Sequence, residues 1–386
     1  MSSTQKVIIF QPVVPHYRES LFKLLANSSD IELLVYASSK YPSYPPSVSP
    51  KTNHYLTLSP PAISLFSRFF FQLCFLRLPI LRNRPDIVVI SGNIRILSNI
   101  PIYIYCLFFR IPILAWCHGS SVNSNSTSRL IRAFYLKLFT GLILYYPQEV
   151  ERYVSLGFDP KSLYASRNTV NTTSVLNAIA SWPSSKLREF RINQCICDRR
   201  VILYSSRLTS SRTADLEHLL SVANILRSTD PSILFVIIGD GPARSKIENS
   251  IALLDLSNHV HLVGALYDEF SLAPWFLSAK CFFYPGTVGL SLIHSFTYSL
   301  PVVLHNRISL HNPEINLFRD GHNGLSYIYC SPSSAASAIR LLISDPSIRY
   351  RLSITARKTV FPSFSIQSSA DSLLHCFRSI NSGNLN

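Results

Sequence analysis

The sequence has few acidic residues and little charge in general. Its 386 residues include 21 Asp and Glu against 36 Lys and Arg, and charged residues make up 15% of the chain. Because 47% of the residues are hydrophobic, the composition excludes a largely disordered protein. The net charge of +15 indicates an anionic partner: nucleic acid, acidic lipid or nucleotide phosphate. The sequence has no dense Lys/Arg run and no zinc-finger or RNA-binding signature, which argues against a nucleic-acid-binding protein.

Signals for export, for a metal centre and for a membrane span are also missing. The eight cysteines are irregularly spaced, and Cys195-Ile-Cys197 is the only close pair, so a zinc site is not expected. The N-terminal residues lead into a strand-like run without a signal peptide, which predicts a cytoplasmic protein. No segment reaches the roughly 18 uninterrupted apolar residues that a membrane span needs.

Residues 62–79 combine aromatic and basic side chains. Arg68, Gln72 and Arg77 interrupt a run that is otherwise mostly apolar, and Arg82 follows shortly after it. The pattern predicts an amphipathic helix with two interpretations. It lies on an anionic membrane surface, which would make the protein peripheral on the inner face of the membrane, or it packs on a sheet as part of the core.

Short apolar strands alternate with helical segments along the chain, and this predicts an α/β protein with parallel sheets. The alternation restarts after residue 170, and 386 residues are too many for one compact core. We therefore expect two doubly wound Rossmann-like domains at 1–170 and 171–365. A C-terminal helix at 366–386 is expected to pack back on the first domain.

Residues 284–294 give the clearest indication of a binding site. A buried strand ends at Tyr284, the loop carries Gly286 and Gly289, and a helix starts near Ser291. The first turn of a helix has unpaired N–H groups and a partial positive charge, and glycine allows a ligand to approach the backbone closely. The pattern predicts a site for a nucleotide diphosphate.

Several short motifs appear in an order that resembles the large retaining family 4 of glycosyltransferases, which have the GT-B fold. They span roughly residues 6 to 330 and are His118-Gly119, Ser206-Arg-Leu-Thr-Ser-Ser-Arg212, Gly239-Asp-Gly-Pro242, Val263-Gly264, Gly289-Leu290 with Pro301-Val-Val303, and Asp320-Gly-His-Asn-Gly324. Each motif alone is weak, but together they are fairly specific. The resemblance implies two Rossmann-like domains facing a cleft that holds a nucleotide-sugar donor.

The resemblance also implies roles for individual residues. Arg207 and Arg212 match a basic pair on the donor diphosphate, although Arg212 also fits a surface arginine, and His118 matches a histidine that contacts the transferred sugar. The donor would be bound by Gly264, Gly286, Thr287, Val288, Gly289, Leu290, Ser291 and His294. Pro15, His16, Tyr17 and Arg18 match a loop facing donor or acceptor, but they equally fit the start of a surface helix.

The chain departs from the family pattern at two carboxylates. Glutamates that would contact donor sugar and ribose are replaced by Gly286 and His294, and Glu314 is a nearby carboxylate that could compensate. No Asp-x-Asp pair occurs in the chain, so neither a metal nor a cofactor is expected.

The implied function is a retaining, metal-independent glycosyltransferase. It would move a sugar from a nucleotide-diphosphate sugar to a glycan or lipid-linked acceptor in cell-surface polysaccharide synthesis. The alternatives are a nucleotide-sugar epimerase on the same fold, which would need acid/base carboxylates, and a non-catalytic nucleotide-sugar-binding relative.

Overall fold

The computed structural model describes residues 4–42, 46–48, 54–66, 68–73, 84–117 and 126–383. They form two compact units. The first comprises the described residues up to Asn168 together with the helix Ile366–Gly383, and the second comprises Thr169–Ser365. Each unit is built around a parallel sheet. This confirms the α/β class that the alternation of strands and helices predicts.

The strands of the described residues follow one another along both units. They are β1 Gln5–Gln11, β2 Ile31–Ser38, β3 Leu56–Ser59, β4 Ile63–Leu65, β5 Phe69–Phe71, β6 Ile87–Ser91, β7 Ile113–Cys117, β8 Gly141–Leu144, β9 Leu163–Ala165, β10 Arg200–Ser205, β11 Ile233–Ile238, β12 Val260–Gly264, β13 Ala279–Tyr284, β14 Val302–His305 and β15 Gly324–Tyr327.

The helices fill the connections between these strands. They are α1 His16–Ala26, α2 Asn99–Phe108, α3 Ser126–Leu136, α4 Pro147–Ser155, α5 Thr172–Ala180, α6 Ser184–Asn193, α7 Thr213–Arg227, α8 Arg244–Leu253, α9 Glu269–Ser278, α10 Leu290–Thr297, α11 Pro332–Ser344, α12 Pro346–Val360 and α13 Ile366–Gly383. Several begin at positions that favour a helix start. Asp268 caps α9 by accepting from the Ser271 amide, and Pro147, Pro332 and Pro346 occupy first helical positions. Among the described residues, no helix combines the length and the apolar character needed to cross a bilayer.

The first unit has a seven-stranded sheet in the order β3-β2-β1-β6-β7-β8-β9, with every neighbouring pair parallel. Helices on both faces bury the central strands, so β1 and β6 are runs of buried, mainly β-branched residues rather than alternating ones. Strands β6 to β9 follow each other in one direction across the sheet. Because parallel crossovers are right-handed, α2, α3 and α4 lie on one face of it. Helix α13 belongs to this unit, and the Gln5 side chain donates to the Phe377 carbonyl at 3.3 Å.

The second unit has a six-stranded parallel sheet in the order β12-β11-β10-β13-β14-β15. The chain moves outward from β10 to β11 and β12, returns to β13 beside β10, and then moves outward on the other side. The strand order therefore reverses between β10 and β13. In open α/β sheets, ligands bind outside the carboxyl ends of the strands at such a point.

The helix predicted over residues 62–79 is wrong for the part that the structure describes. Residues Ile63–Leu65 and Phe69–Phe71 form a two-stranded antiparallel hairpin, and residues 74–79 lie outside the described residues. Three consecutive phenylalanines favour a strand, and the positive φ of 51° at Phe66 reverses the chain. Leu56–Ser59, which precedes the hairpin, forms the edge strand β3 beside β2.

Candidate functional site

Two loops of the second unit meet where its strand order reverses. Ser206 and Arg207 directly follow β10, and Pro285 and Gly286 directly follow β13. The two strands are neighbours in the sheet, with Leu203 paired to Phe282. The predicted Arg207–Arg212 segment and the predicted glycine loop therefore emerge side by side at the carboxyl edge of the sheet.

Arg212 and Tyr284 link these two loops. The Arg212 guanidinium donates to the Tyr284 hydroxyl and lies 5.4 Å from the centre of its ring. The Tyr284 hydroxyl in turn donates to Ser206 Oγ at 3.0 Å. Burial raises the pKa of Tyr284 above its ordinary value, so the ring remains a neutral phenol. Arg212 is thus a fixed, half-buried cation, while Arg207 is exposed on the same loop.

Two glycines after β11 hold the Arg207 loop in place. Gly239 and Gly241 have φ values of +152° and +151°, and a Cβ there would lie 1.9 Å from the Ser206 carbonyl and 2.4 Å from the Leu208 carbonyl. The Leu208 amide donates to the Asp240 carbonyl at 3.0 Å, and the Leu208 carbonyl accepts from the Ala243 amide at 2.9 Å. Only glycine permits this approach of two backbones. Gly264, another predicted site residue, accepts from the Gly239 amide at 2.8 Å and so lies at the same edge.

Asp215 is a residue of this region that the motifs do not reveal. It lies in the first turn of α7, and its carboxylate occupies the space beside Gly286, where a Cβ would be 1.9 Å from Asp215 Oδ2. Burial raises the pKa of Asp215, and the neighbouring charge of Arg212 opposes that rise. In sequence, Asp215 is indistinguishable from an acid that favours a helix N-terminus. The fold places it against the loop 71 positions later.

Hydrogen bonds with residues 310–312 hold the glycine loop in place. The Thr287 hydroxyl donates to the Leu310 carbonyl at 2.8 Å, and the Asn312 amide donates to the Val288 carbonyl at 3.0 Å. The Val288 amide donates to Nδ1 of His311 at 3.1 Å, so this predicted ligand donor already has an acceptor. Gly289 precedes α10, and Leu290 and Ser291 are its first residues. The amides of a first helical turn have no acceptor within the helix, so these amides are suited to an anion.

His311 and His305 form a buried stacked pair beneath this loop, with ring centres 3.9 Å apart. His311 accepts a hydrogen bond at Nδ1, so its proton lies on Nε2, which is 3.0 Å from the His305 carbonyl. Burial lowers the pKa of His311, and burial together with the neighbouring histidines lowers the pKa of His305 to about 3. Both rings are therefore neutral at physiological pH.

We expect the buried histidines to lower the stability of the fold in mild acid. The native-state pKa of His305 lies below the ordinary value of about 6.5, so the unfolded chain binds this proton more readily. The stabilising contribution of the neutral His305 ring is therefore complete above the ordinary pKa and is lost as the pH falls toward about 3. His305 should contribute a loss of about 1 kcal/mol in the free energy of unfolding between pH 7 and about pH 5.5. Urea denaturation at the two pH values measures it.

His305→Phe should reduce that pH dependence, because it removes the titrating ring. Among the described residues Nδ1 of His305 has no hydrogen-bond partner, so the substitution breaks no hydrogen bond at that atom. His322→Phe, at an exposed position, is the matched control and should leave the dependence unchanged. An unchanged dependence in His305→Phe would contradict the assignment.

His294 is held by a carboxylate from the preceding helix. Its Nε2 lies 3.0 Å from Glu269 Oε2, and the same oxygen accepts from the Tyr298 hydroxyl at 2.9 Å. Burial would raise the pKa of Glu269, but the charge of His294 and the two hydrogen bonds outweigh burial and lower it. Glu269 is thus a second carboxylate that the motifs do not reveal. Glu314, in contrast, is buried in the first turn of a short 3-10 helix.

The predicted site residues of the first unit do not all lie together. Pro15, Tyr17 and Arg18 line a cavity at the carboxyl edge of the sheet, together with Gln11, Asn93 and Trp116. His16 is exposed and is not among the lining residues. His118 lies outside the described residues.

Arg18 is a buried cation in this cavity, with 8% of its surface exposed. It donates to Gln11 Oε1 at 2.9 Å and to the Tyr145 hydroxyl, and its guanidinium lies 4.9 Å from the Trp116 ring. These three contacts are with neutral oxygens and an aromatic ring. Because a guanidinium stays charged when it is buried, Arg18 contributes a cationic side chain to the lining of the cavity.

The described part of the chain contains no group of three or more His, Cys, Asp or Glu side chains that could hold a metal ion. The absence of a metal in the reaction remains a prediction.

Comparison with known proteins finds a family match within the second unit and solved structures with a similar fold. Residues 186–359 match the family model of glycosyl transferases group 1. The chain is 26% identical over 196 residues to the alpha-D-kanosaminyltransferase of Streptomyces kanamyceticus, a match that covers 50% of this chain and 49% of that protein. The chain therefore spans about half the length of this curated relative.

Two solved structures are similar over nearly the whole chain. The HepE protein of Anabaena in complex with UDP has a TM-score of 0.74 at 14% identity, covering 97% of this chain and 100% of that one. The sucrose-phosphate synthase of Thermosynechococcus elongatus has a TM-score of 0.71 at 17% identity, covering 98% and 100%. These similarities agree with the two parallel-sheet units and establish the fold. The protein has the GT-B fold with two Rossmann-like domains, and its residues 186–359 match the family model of glycosyl transferases group 1.

Proposed function

We propose that this protein is a retaining glycosyltransferase that acts without a metal. It transfers a sugar from a nucleotide-diphosphate sugar to a glycan or lipid-linked acceptor in the synthesis of cell-surface polysaccharide. The observation that carries the proposal is the Arg212–Tyr284–Ser206 cluster beside the glycine loop, at the reversal point of the second sheet. The HepE protein of Anabaena has been solved with UDP-glucose, which supports a nucleotide-sugar ligand for this fold.

In the proposed reaction, residues of the second unit bind the leaving group. As the bond between the sugar and the diphosphate oxygen breaks, negative charge grows on the departing nucleoside diphosphate. Arg212 and Arg207 stabilise that charge, and the amides of Gly289, Leu290 and Ser291 bind the phosphates. Arg212 is suited to this role because Tyr284 already fixes its guanidinium, so little reorganisation is needed.

The acceptor hydroxyl attacks the same face of the sugar that the diphosphate leaves. Its proton passes to an oxygen of the departing phosphate, and the new bond joins the acceptor oxygen to the sugar carbon. Pro15, Tyr17, Arg18 and His118 are proposed to face the transferred sugar or the acceptor. The buried guanidinium of Arg18 suits an acceptor that carries phosphate, such as a lipid-linked sugar.

The proposal is tested by incubating the full chain with a panel of nucleotide-diphosphate sugars and lipid-linked acceptors, with and without a chelator. Release of nucleoside diphosphate that depends on the acceptor and persists in chelator is expected. Magnetic resonance of the product should show the anomeric configuration of the donor. No release across the panel would overturn the transferase activity, and conversion of the donor without acceptor would indicate an epimerase.

A further inference from the structure

The first unit exposes an unusual amount of apolar surface on α2. Ile100, Ile104, Leu107 and Phe108 are between 55% and 79% exposed. Their spacing places them on one face of the helix, while Ile102 and Cys106 on the opposite face are buried in the core. A helix that is apolar on both faces is typical of one that contacts a protein or a membrane besides its own sheet.

Helix α3 and the residues directly after it expose a matching face. Leu130, Ile131, Phe134 and Leu138 are between 47% and 73% exposed. The two helices are neighbours on the same face of the sheet, since the Tyr103 hydroxyl donates to the Leu138 carbonyl at 3.1 Å. We call these exposed residues of α2 and α3, together with the hairpin tip at Phe66, the apolar patch.

The hairpin Ile63–Phe71 extends the patch to the start of α2. Phe66 at its tip is 92% exposed. The Phe70 amide donates to the Arg95 carbonyl at 2.8 Å, which fixes the hairpin directly before α2. Phe70 also packs on Tyr41 with ring centres 4.8 Å apart, and Tyr41 lines the cavity that contains Arg18. The hairpin therefore connects the patch to a residue that lines that cavity.

The segment of the chain that forms the patch is strongly basic. Residues 62–140 contain nine Lys and Arg but only one acid, Asp86. The Asp86 carboxylate lies at the amino edge of the sheet, opposite the edge that carries the Arg18 cavity, and it accepts from the Lys6 amide at 2.7 Å. Arg68, Arg95, Arg110 and Lys137 are exposed, and within the described part of the chain none of them has an acidic partner.

We propose that the apolar patch docks the protein on an anionic lipid surface. The exposed Phe, Leu and Ile side chains enter the boundary between headgroups and acyl chains, and the surrounding Arg and Lys contact the anionic headgroups. A second copy of the chain fits poorly, because pairing two patches would bring like charges together. If the proposed function holds, a lipid-linked acceptor would pass from the membrane along the hairpin to the cavity.

Sedimentation of the full chain with lipid vesicles tests the proposal without any donor or acceptor, so its outcome is independent of the transferase activity. Vesicles of phosphatidylcholine with phosphatidylglycerol should bind the protein, and vesicles of phosphatidylcholine alone should bind it less. The triple variant Phe66→Ser, Phe108→Ser, Phe134→Ser should lower binding to the anionic vesicles at least about 10-fold. Arg68→Glu with Arg110→Glu keeps the apolar face and should also lower it at least about 10-fold.

Two exposed apolar residues of the second unit provide the matched control. Leu253→Ser with Tyr350→Ser removes side chains that are 86% and 70% exposed, and it should leave vesicle binding unchanged. Wild-type protein that stays in the supernatant with anionic vesicles would overturn the proposal. So would equal binding of the triple variant, or a wild-type dimer that the triple variant converts to a monomer.

Discussion

Replacing Arg212 with alanine is expected to lower kcat/KM for the nucleotide-sugar donor about 100-fold or more. Arg212 is the cation that the structure fixes beside the glycine loop, through the Tyr284 hydroxyl and ring. Alanine removes the positive charge that would stabilise the departing diphosphate, and it also leaves Tyr284 without this donor. Steady-state measurement of nucleotide release gives kcat/KM, and calorimetry with the nucleoside diphosphate measures the accompanying loss of binding.

One further variant separates charge from geometry at this position, and a second variant elsewhere is the control. Arg212→Lys keeps the charge but loses the planar guanidinium over the Tyr284 ring, so an intermediate loss of about 10-fold is expected. Arg227→Ala is the control, because Arg227 lies in the last turn of the adjoining helix α7 and pairs with the exposed Asp255 at 3.5 Å. Since surface ion pairs contribute little, its kcat/KM should change by less than about 2-fold. Turnover in Arg212→Ala equal to that of Arg227→Ala would exclude a role for Arg212 in the reaction.

Gly286→Ala is expected to weaken binding of the nucleoside diphosphate about 10-fold, which corresponds to about 1.4 kcal/mol. The cause is steric. The new Cβ would lie 1.9 Å from Asp215 Oδ2 and 2.4 Å from Asp215 Cγ, so the whole carboxyl group must rotate or the loop must move. Overpacking of this kind should also lower the free energy of unfolding by about 1–3 kcal/mol. Calorimetry and urea denaturation measure the two effects.

A double-mutant cycle with Asp215 tests that explanation. Asp215→Ala removes the carboxyl group that the new methyl group at position 286 would meet. The double variant should therefore recover at least about 1 kcal/mol of stability relative to the sum of the single variants. Asp215→Asn is the matched control, because it removes the charge but keeps the size, and it should give no recovery. Additive effects of Gly286→Ala and Asp215→Ala would contradict the contact.

The contact between positions 215 and 286 also concerns the missing carboxylates. The family pattern has an acid at two positions where this chain has none. The resemblance implies an acid at position 286, where this chain has glycine. The structure places the Asp215 carboxylate in the space that a side chain at 286 would enter. At the other departure, the carboxylate of Glu269 binds the ring of His294. An acid is therefore present beside each of the two substituted positions, but it comes from another helix.

Much of the architecture follows from local patterns in the sequence. Runs such as Val7–Ile9 and Ile87–Ile90 are apolar without alternation, and this predicts strands buried on both faces and hence parallel sheets covered by helices. The glycine loop between β13 and α10 is also a local pattern, since a strand, two glycines and a helix start lie within a few residues. The prediction over 62–79 failed for its described part because the composition of an amphipathic helix is shared by a hairpin of aromatic residues. The choice between them depends on the contacts of Phe70 with Arg95 and Tyr41.

The sequence by itself determined the α/β class, the succession of strands and helices, and the strand, glycine loop and helix start at residues 284–294. These depend on side-chain periodicity and on turn residues that are close together in the chain. The tertiary structure alone decided which carboxylates lie beside Gly286 and His294, which acceptor binds the Val288 amide, and that the apolar faces of α2 and α3 adjoin each other. Those contacts join residues from 23 to 71 positions apart, or depend on the order of strands in a sheet. A single sequence carries no local signal for such pairings, because only the packing of the complete chain brings the partners together.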